Sequence, residues 1–82
     1  MIAVTVKLFA IYQETLGQDH LSLTLPAGST VLDLLNRLLA DYPALSPWRS
    51  VTRFGINLEF VPPDTPLRSG DEIVFIPPVS GG

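Results

Sequence analysis

With 82 residues, the chain has room for one domain and a limited core. A net charge of −3 and only five Lys and Arg argue against a nucleic-acid partner, which is held through clustered basic side chains. Cysteine is absent, which excludes disulfides, thiolate zinc sites and a cysteine nucleophile, and makes a cytosolic location the default expectation. Hydrophobic residues make up 46% of the chain and charged residues 16%, so some apolar side chains are expected on the surface, where they mark a partner interface. No apolar run approaches the length of a membrane span. The N-terminus, Met1 to Lys7, lacks a basic n-region and reads as a strand, so no signal peptide is expected.

Residues 2–10 alternate, with Ile2, Val4, Val6 and Leu8 on one side and Ala3, Thr5, Lys7 and Phe9 on the other. Period two with β-branched residues predicts a strand with one face in a core. Gly17-Gln18-Asp19 is a turn signal, and Leu21, Leu23 and Leu25 repeat the alternation until Pro26, so the first two strands are expected to form a hairpin. Thr30 is a good helix N-cap with Asp33 three residues on, and Val31, Leu34, Leu35, Leu38 and Tyr42 follow helical spacing. This predicts a helix over about 30–42, stopped by Pro43. The stretch 44–50 reads as a loop or a short helical turn, with Trp48 capping one end of the core. Residues 52–61 read as strand interrupted near Gly55 and Asn57, by a bend or a tight hairpin. After Pro62-Pro63-Asp64, a turn over 67–72 feeds a last strand, Ile73 to Ile76, which Pro77 ends.

The order β-β-α-β-(β)-β closes economically as a mixed sheet of four to five strands with the helix packed across one face. The two apolar terminal strands would lie side by side at its centre. The fold class is therefore α+β, of the β-grasp (ubiquitin-like) kind, over residues 1–76. Residues 77–82 are expected to form a flexible tail ending in Gly-Gly.

Within the body the usual catalytic sets are missing. His20 stands alone at a turn or strand start. Asp71 and Glu72 are adjacent and would point to opposite faces of a strand. No glycine-rich loop sits between a strand and a helix start. No metal site is expected. The tail remains, and by itself a Gly-Gly end is either a frayed terminus or a thin arm presenting a reactive carboxylate.

The context of that tail is specific. The run from Leu67 through Gly70-Asp71-Glu72 to Pro77-Pro78-Val79-Ser80-Gly81-Gly82 resembles the C-terminal signature of the MoaD/ThiS family of ubiquitin-like sulfur carriers, and most closely its molybdopterin-synthase branch. Leu8-Phe9-Ala10, the Thr30-capped helix and Ile56-Asn57 fall where that family has similar residues. Gly55 departs from the pattern, since a small aliphatic residue is more usual there.

The resemblance implies that Gly82 is adenylated by an E1-like (MoeB-like) enzyme at the expense of ATP. A persulfide-bearing sulfur donor then converts it to a thiocarboxylate, and the sulfur passes to a pyranopterin precursor in a MoaE-like large subunit, in a heterotetramer with two copies of each. Gly81 would give the backbone access to a narrow channel. Phe9, Phe60 and Ile76, followed by Pro77, Pro78, Val79 and Ser80, would meet the partners. No permanently bound cofactor is implied. Other clients of the same chemistry, thiamine thiazole synthesis or tRNA thiolation with protein conjugation, remain open. So does a β-grasp binding module with an inert tail.

Overall fold

The computed structural model describes residues 1–77. Eight elements follow one another: strand β1 (Ile2–Leu8), helix α1 (Ile11–Leu16), strand β2 (His20–Leu25), helix α2 (Val31–Asp41), a 3₁₀ run (Pro43–Val51), and strands β3 (Arg53–Ile56), β4 (Glu59–Val61) and β5 (Glu72–Ile76). The strands form one mixed sheet in the order β2-β1-β5-β3-β4. The terminal strands do lie side by side, paired in parallel from Thr5–Glu72 to Leu8–Phe75, while every other pairing is antiparallel. This is the β-grasp arrangement.

The alternation in β1 sorts as expected. Val4, Val6 and Leu8 are buried, while Ala3 and Lys7 are exposed. They meet Leu25, Ile73, Phe75 and Phe54 from the other strands, and the buried stripe of α2 (Val31, Leu34, Leu35, Leu38, Leu39) closes the core from one side. The start of α2 is fixed by the sequence itself. Thr30 Oγ1 accepts from the Asp33 amide at 3.2 Å, and the Asp33 carboxylate accepts from the Thr30 amide at 2.9 Å, a reciprocal cap. Among the described residues, no helix covers the opposite face of the sheet.

One local feature departs from the pattern read in the sequence, and two others settle readings left open there. The β1–β2 connection contains a helix, α1, in place of a simple turn. It starts at Ala10 without a side-chain cap and ends on Gly17 in the left-handed region. At six residues it is too short to show helical periodicity, and its anchor, Tyr12, is fully buried. The stretch 43–51 winds as 3₁₀ helix, around Pro43 and Pro47. The interruption near Asn57 is a tight hairpin, with Asn57 at φ 49° and Leu58 at φ 74°. Positive φ at both central residues is the mirror-image turn that suits strand twist, and Asn at the first place is favourable. Leu58 at the second place costs about 1–2 kcal/mol, because a Cβ crowds the following carbonyl there.

Tyr12 ties α1 to the rest. Its hydroxyl hydrogen-bonds the buried Thr52 Oγ1, which donates onward to the Trp48 carbonyl at 2.7 Å, and its ring lies 5.6 Å from that of Phe75. Trp48 packs against the core edge, as expected. Burial raises the Tyr12 phenol above its ordinary pKa of 10.0, a rise opposed by the hydrogen bond to Thr52. The folded state therefore holds this proton more tightly than the unfolded chain. The associated stability is complete below pH 10 and is lost as pH rises through the higher folded value. Replacing Tyr12 with Phe should cost about 1 kcal/mol and lower the melting temperature by about 4–8 °C at neutral pH. It should also flatten the loss of stability above pH 10, as read from melts across pH 8–11.

Candidate functional site: the open face and the tail exit

Of the residues singled out by sequence, Pro78, Val79, Ser80, Gly81 and Gly82 lie outside the described residues. What the structure positions is the base of the tail. Strand β5 occupies the middle of the sheet, with Ile73 and Phe75 pointing into the core and fully buried. Phe75 stacks edge-on against Phe54 with ring centroids 5.7 Å apart and meets Tyr12 on another side. Pro77, directly after this strand, is buried. The described residues thus end directly after a strand that is paired on both sides.

The turn that feeds β5 is built around Gly70. At φ 90° it adopts a conformation that disfavours side chains, and its amide donates to the Ala3 carbonyl at 2.7 Å. Asp71 accepts from the Arg68 amide at 2.8 Å and from the Asn57 side chain at 3.2 Å, while Asn57 Oδ1 accepts from the Glu72 amide at 3.1 Å. Asp71 is therefore a turn residue. Glu72 faces Lys7 at 3.6 Å across the exposed side, a contact of small energetic value in water. His20 is exposed at the start of β2 and its Nδ1 lies 2.7 Å from Asp19, whose carboxyl is held below its ordinary range by that hydrogen bond and by the imidazole charge. Among the described residues, no group of three metal-ligating side chains is present.

The open face of the sheet brings Phe9, Phe60 and Ile76 together. They line one apolar groove with Lys7, Gly55, Leu58, Glu59 and Val74. Phe9 is 48% exposed and Phe60 73%, while Ile76 is half-buried. Leu58 stands at the groove rim and is 93% exposed, a participant that sequence reading missed. The only early sign of it was the interruption near Asn57. A shallow apolar groove with few polar groups suits the side chains of another protein better than a small polar molecule.

A family model described as the ThiS family matches residues 6–82. The chain belongs to the ThiS family. It is 35% identical over 81 residues to an Arabidopsis thaliana protein named molybdopterin synthase sulfur carrier subunit, covering 99% of this chain and 84% of that one. SAMP1 of Haloferax volcanii, a small archaeal modifier protein, superposes with a TM-score of 0.83 at 30% identity, covering 98% of this chain and 99% of that one. A complex of subunits 1 and 2 of the molybdopterin-converting factor from Helicobacter pylori contains a chain that matches with a TM-score of 0.66 at 26% identity, covering 99% of this chain and 100% of that one. The family match thus spans the open face, β5 and the Gly-Gly end together.

Phe60 and Leu58 are surface residues in the energetic sense. Phe60→Glu should leave the melting temperature within about 2 °C of the reference, whereas Phe75→Ala should cost about 3–5 kcal/mol. A thermal melt of both variants checks the distinction.

Proposed function

We propose that this ThiS-family chain is the sulfur-carrying small subunit of a molybdopterin synthase, and that its reactive group is the carboxylate of Gly82. The observation that carries the reading is the run from the central strand β5 through Pro77 to Gly82, which lies within the span matched by the family, beside an apolar face free to dock. The body supports the role by position. It holds no cysteine and, among the described residues, no metal-ligating cluster, and we assign the chemistry to the tail and to the partners.

In this reading an E1-like enzyme binds the open face and receives the tail. A Gly82 carboxylate oxygen attacks the α-phosphorus of ATP and expels pyrophosphate, leaving an acyl adenylate. The terminal sulfur of a donor persulfide displaces AMP, and a thiol then cleaves the resulting acyl disulfide to free the thiocarboxylate. The loaded chain moves to the large subunit, where the sulfur is given to the pyranopterin precursor and the carboxylate returns. Glycine at 82 keeps the carbonyl open to attack, and Gly81 lets the backbone approach channel walls. Pro77 and Pro78 restrict the backbone at the base of the arm, reducing the entropy lost on insertion. ATP is consumed through the partner. A cytosolic setting, with reduced thiols available, suits these steps.

The likeness to a small archaeal modifier protein favours a second reading, in which the activated Gly82 passes to a protein amine. The two readings share the adenylate and differ in its fate.

Deletion of Gly82, Gly82→Val, or one residue added after it should abolish thiocarboxylate formation while leaving the melting temperature unchanged. Incubation with ATP, magnesium, the adenylating enzyme and a persulfide donor, followed by intact-mass measurement, reads the replacement of one oxygen by sulfur. Normal loading of these variants would refute the proposal. An amide-linked adduct in place of sulfur would favour the second reading.

A further inference from the structure

Two residues on the open face cost folding stability and bring the chain nothing in return. The first is Gly55. A row of cross-strand neighbours on this face runs Lys7, Val74, Gly55, Phe60. At Gly55 the row has no side chain, in the interior of a hairpin strand, where glycine weakens pairing. The usual reasons for glycine are missing. Its φ lies outside the left-handed region, and an added Cβ would meet only the Glu59 carbonyl oxygen at 3.5 Å and the Val74 Cβ at 3.8 Å, both ordinary contacts. The space above it is therefore an unfilled hollow in the floor of the groove that Phe9, Phe60 and Ile76 line.

The second is Leu58, at φ 74° and 93% exposed on the rim of the same groove. Glycine would satisfy the turn without strain and without placing an isobutyl group in water. A strained backbone and an exposed apolar side chain coincide at one residue, next to the hollow.

Building on the sulfur-carrier reading, we propose that Gly55 and Leu58 form a socket, a hollow floor with a raised apolar rim, for one apolar side chain of the synthase large subunit. The occupant follows from where the chain goes next. Ile76 lines the groove, Pro77 follows it, and five residues lead to Gly82, a reach of at most about 17 Å when fully extended. A partner that takes Gly82 into its reaction site must therefore also bring its own surface near the groove. The lining is apolar apart from Lys7 and Glu59, so it fits an apolar anchor better than a charged one. A buried anchor of this kind serves a lasting complex, as between subunits 1 and 2 of the Helicobacter pylori factor, more than a passing activation step.

Gly55→Ala fills the floor and Leu58→Gly removes the rim. Both should remove a folding cost, so the melting temperature separates a loss of binding from damage to the fold. Using the full-length chain, three quantities are read for each variant: the melting temperature, the dissociation constant with the cognate large subunit by calorimetry, and the rate of adenylate formation with the adenylating enzyme. The melting temperature should hold or rise by about 2–4 °C. Binding to the large subunit should weaken by about tenfold or more, and adenylation, which uses the same face without this anchor, should fall by a clearly smaller factor. Binding as tight as that of the reference chain overturns the socket. So does a fall in melting temperature of more than about 4 °C, which would place the two residues in service of the fold. A parallel loss of adenylation overturns the assignment to the large subunit. If the unaltered chain itself fails to bind the large subunit, both the socket and the sulfur-carrier reading fall, a result distinct from the others.

Discussion

The structure depends on the lodging of β5 between β1 and β3. Parallel pairing on one side and antiparallel pairing on the other tie the last strand to both halves of the chain. Phe75 fixes it in the third dimension through Phe54, Tyr12 and the apolar floor of α2. Edge-to-face aromatic pairs add about 0.5–1.5 kcal/mol each beyond their buried area. Long-range pairing of this kind carries the loop-closure entropy of the intervening chain. Such a strand is held on both edges, so the point at which the described residues end is tied to both halves of the chain. Pro77, buried directly after Ile76, extends that hold one residue further.

Much of this was legible in the sequence, where the signals were long enough to be redundant. The period-two pattern of residues 2–8 fixed which face of β1 is buried. The stripe from Val31 to Leu38, with its Thr30–Asp33 box, fixed α2 to within a residue at each end. The apolar terminal strands predicted the parallel centre of the sheet. The misses are segments with weak local signals. Helix α1 has six residues, one buried anchor and an uncapped start, so nothing short of the Tyr12–Thr52–Trp48 chain of hydrogen bonds reveals why it forms. The β3–β4 hairpin was legible only as a bend or tight hairpin near Asn57, because Leu58 occupies the place where a glycine would announce it. Sequence singled out Phe9, Phe60 and Ile76, and the fold brings them to one groove. Leu58 joins them through turn geometry, which composition does not encode.

The division of the sheet into two faces also separates two kinds of energetic accounting. On the covered face nearly every choice lowers the energy of the fold. Apolar side chains interlock, α2 is capped, and no buried side-chain polar atom among the described residues lacks a partner. On the open face several choices raise it. Phe60 and Leu58 stand in water, Gly55 interrupts a strand, and the Lys7–Glu72 ion pair is exposed and weak. Local rules tend to be broken where a surface answers to something outside the chain. A domain of this size holds only about 5–15 kcal/mol of net stability, so such exceptions are confined to places with a use.

That confinement bears on how a carrier works. Fixing a residue that is free beforehand costs about 1–2 kcal/mol of backbone entropy, so seating five residues in a partner's channel can cost about 5–10 kcal/mol. Contacts along a thin Gly-Gly end recover little of this, since glycine has no side chain to bury. The offset has to come from elsewhere on the molecule. At about 25 cal/mol per Å² it corresponds to roughly 200–400 Å² of apolar surface. The groove around Phe9, Phe60 and Ile76 is the place on the described surface where such area adjoins the tail exit. On the proposed reading an apolar face and a slender reactive end would be one device. The face would supply the binding energy that lets the end be slender, and slenderness would let the end reach chemistry held inside another protein.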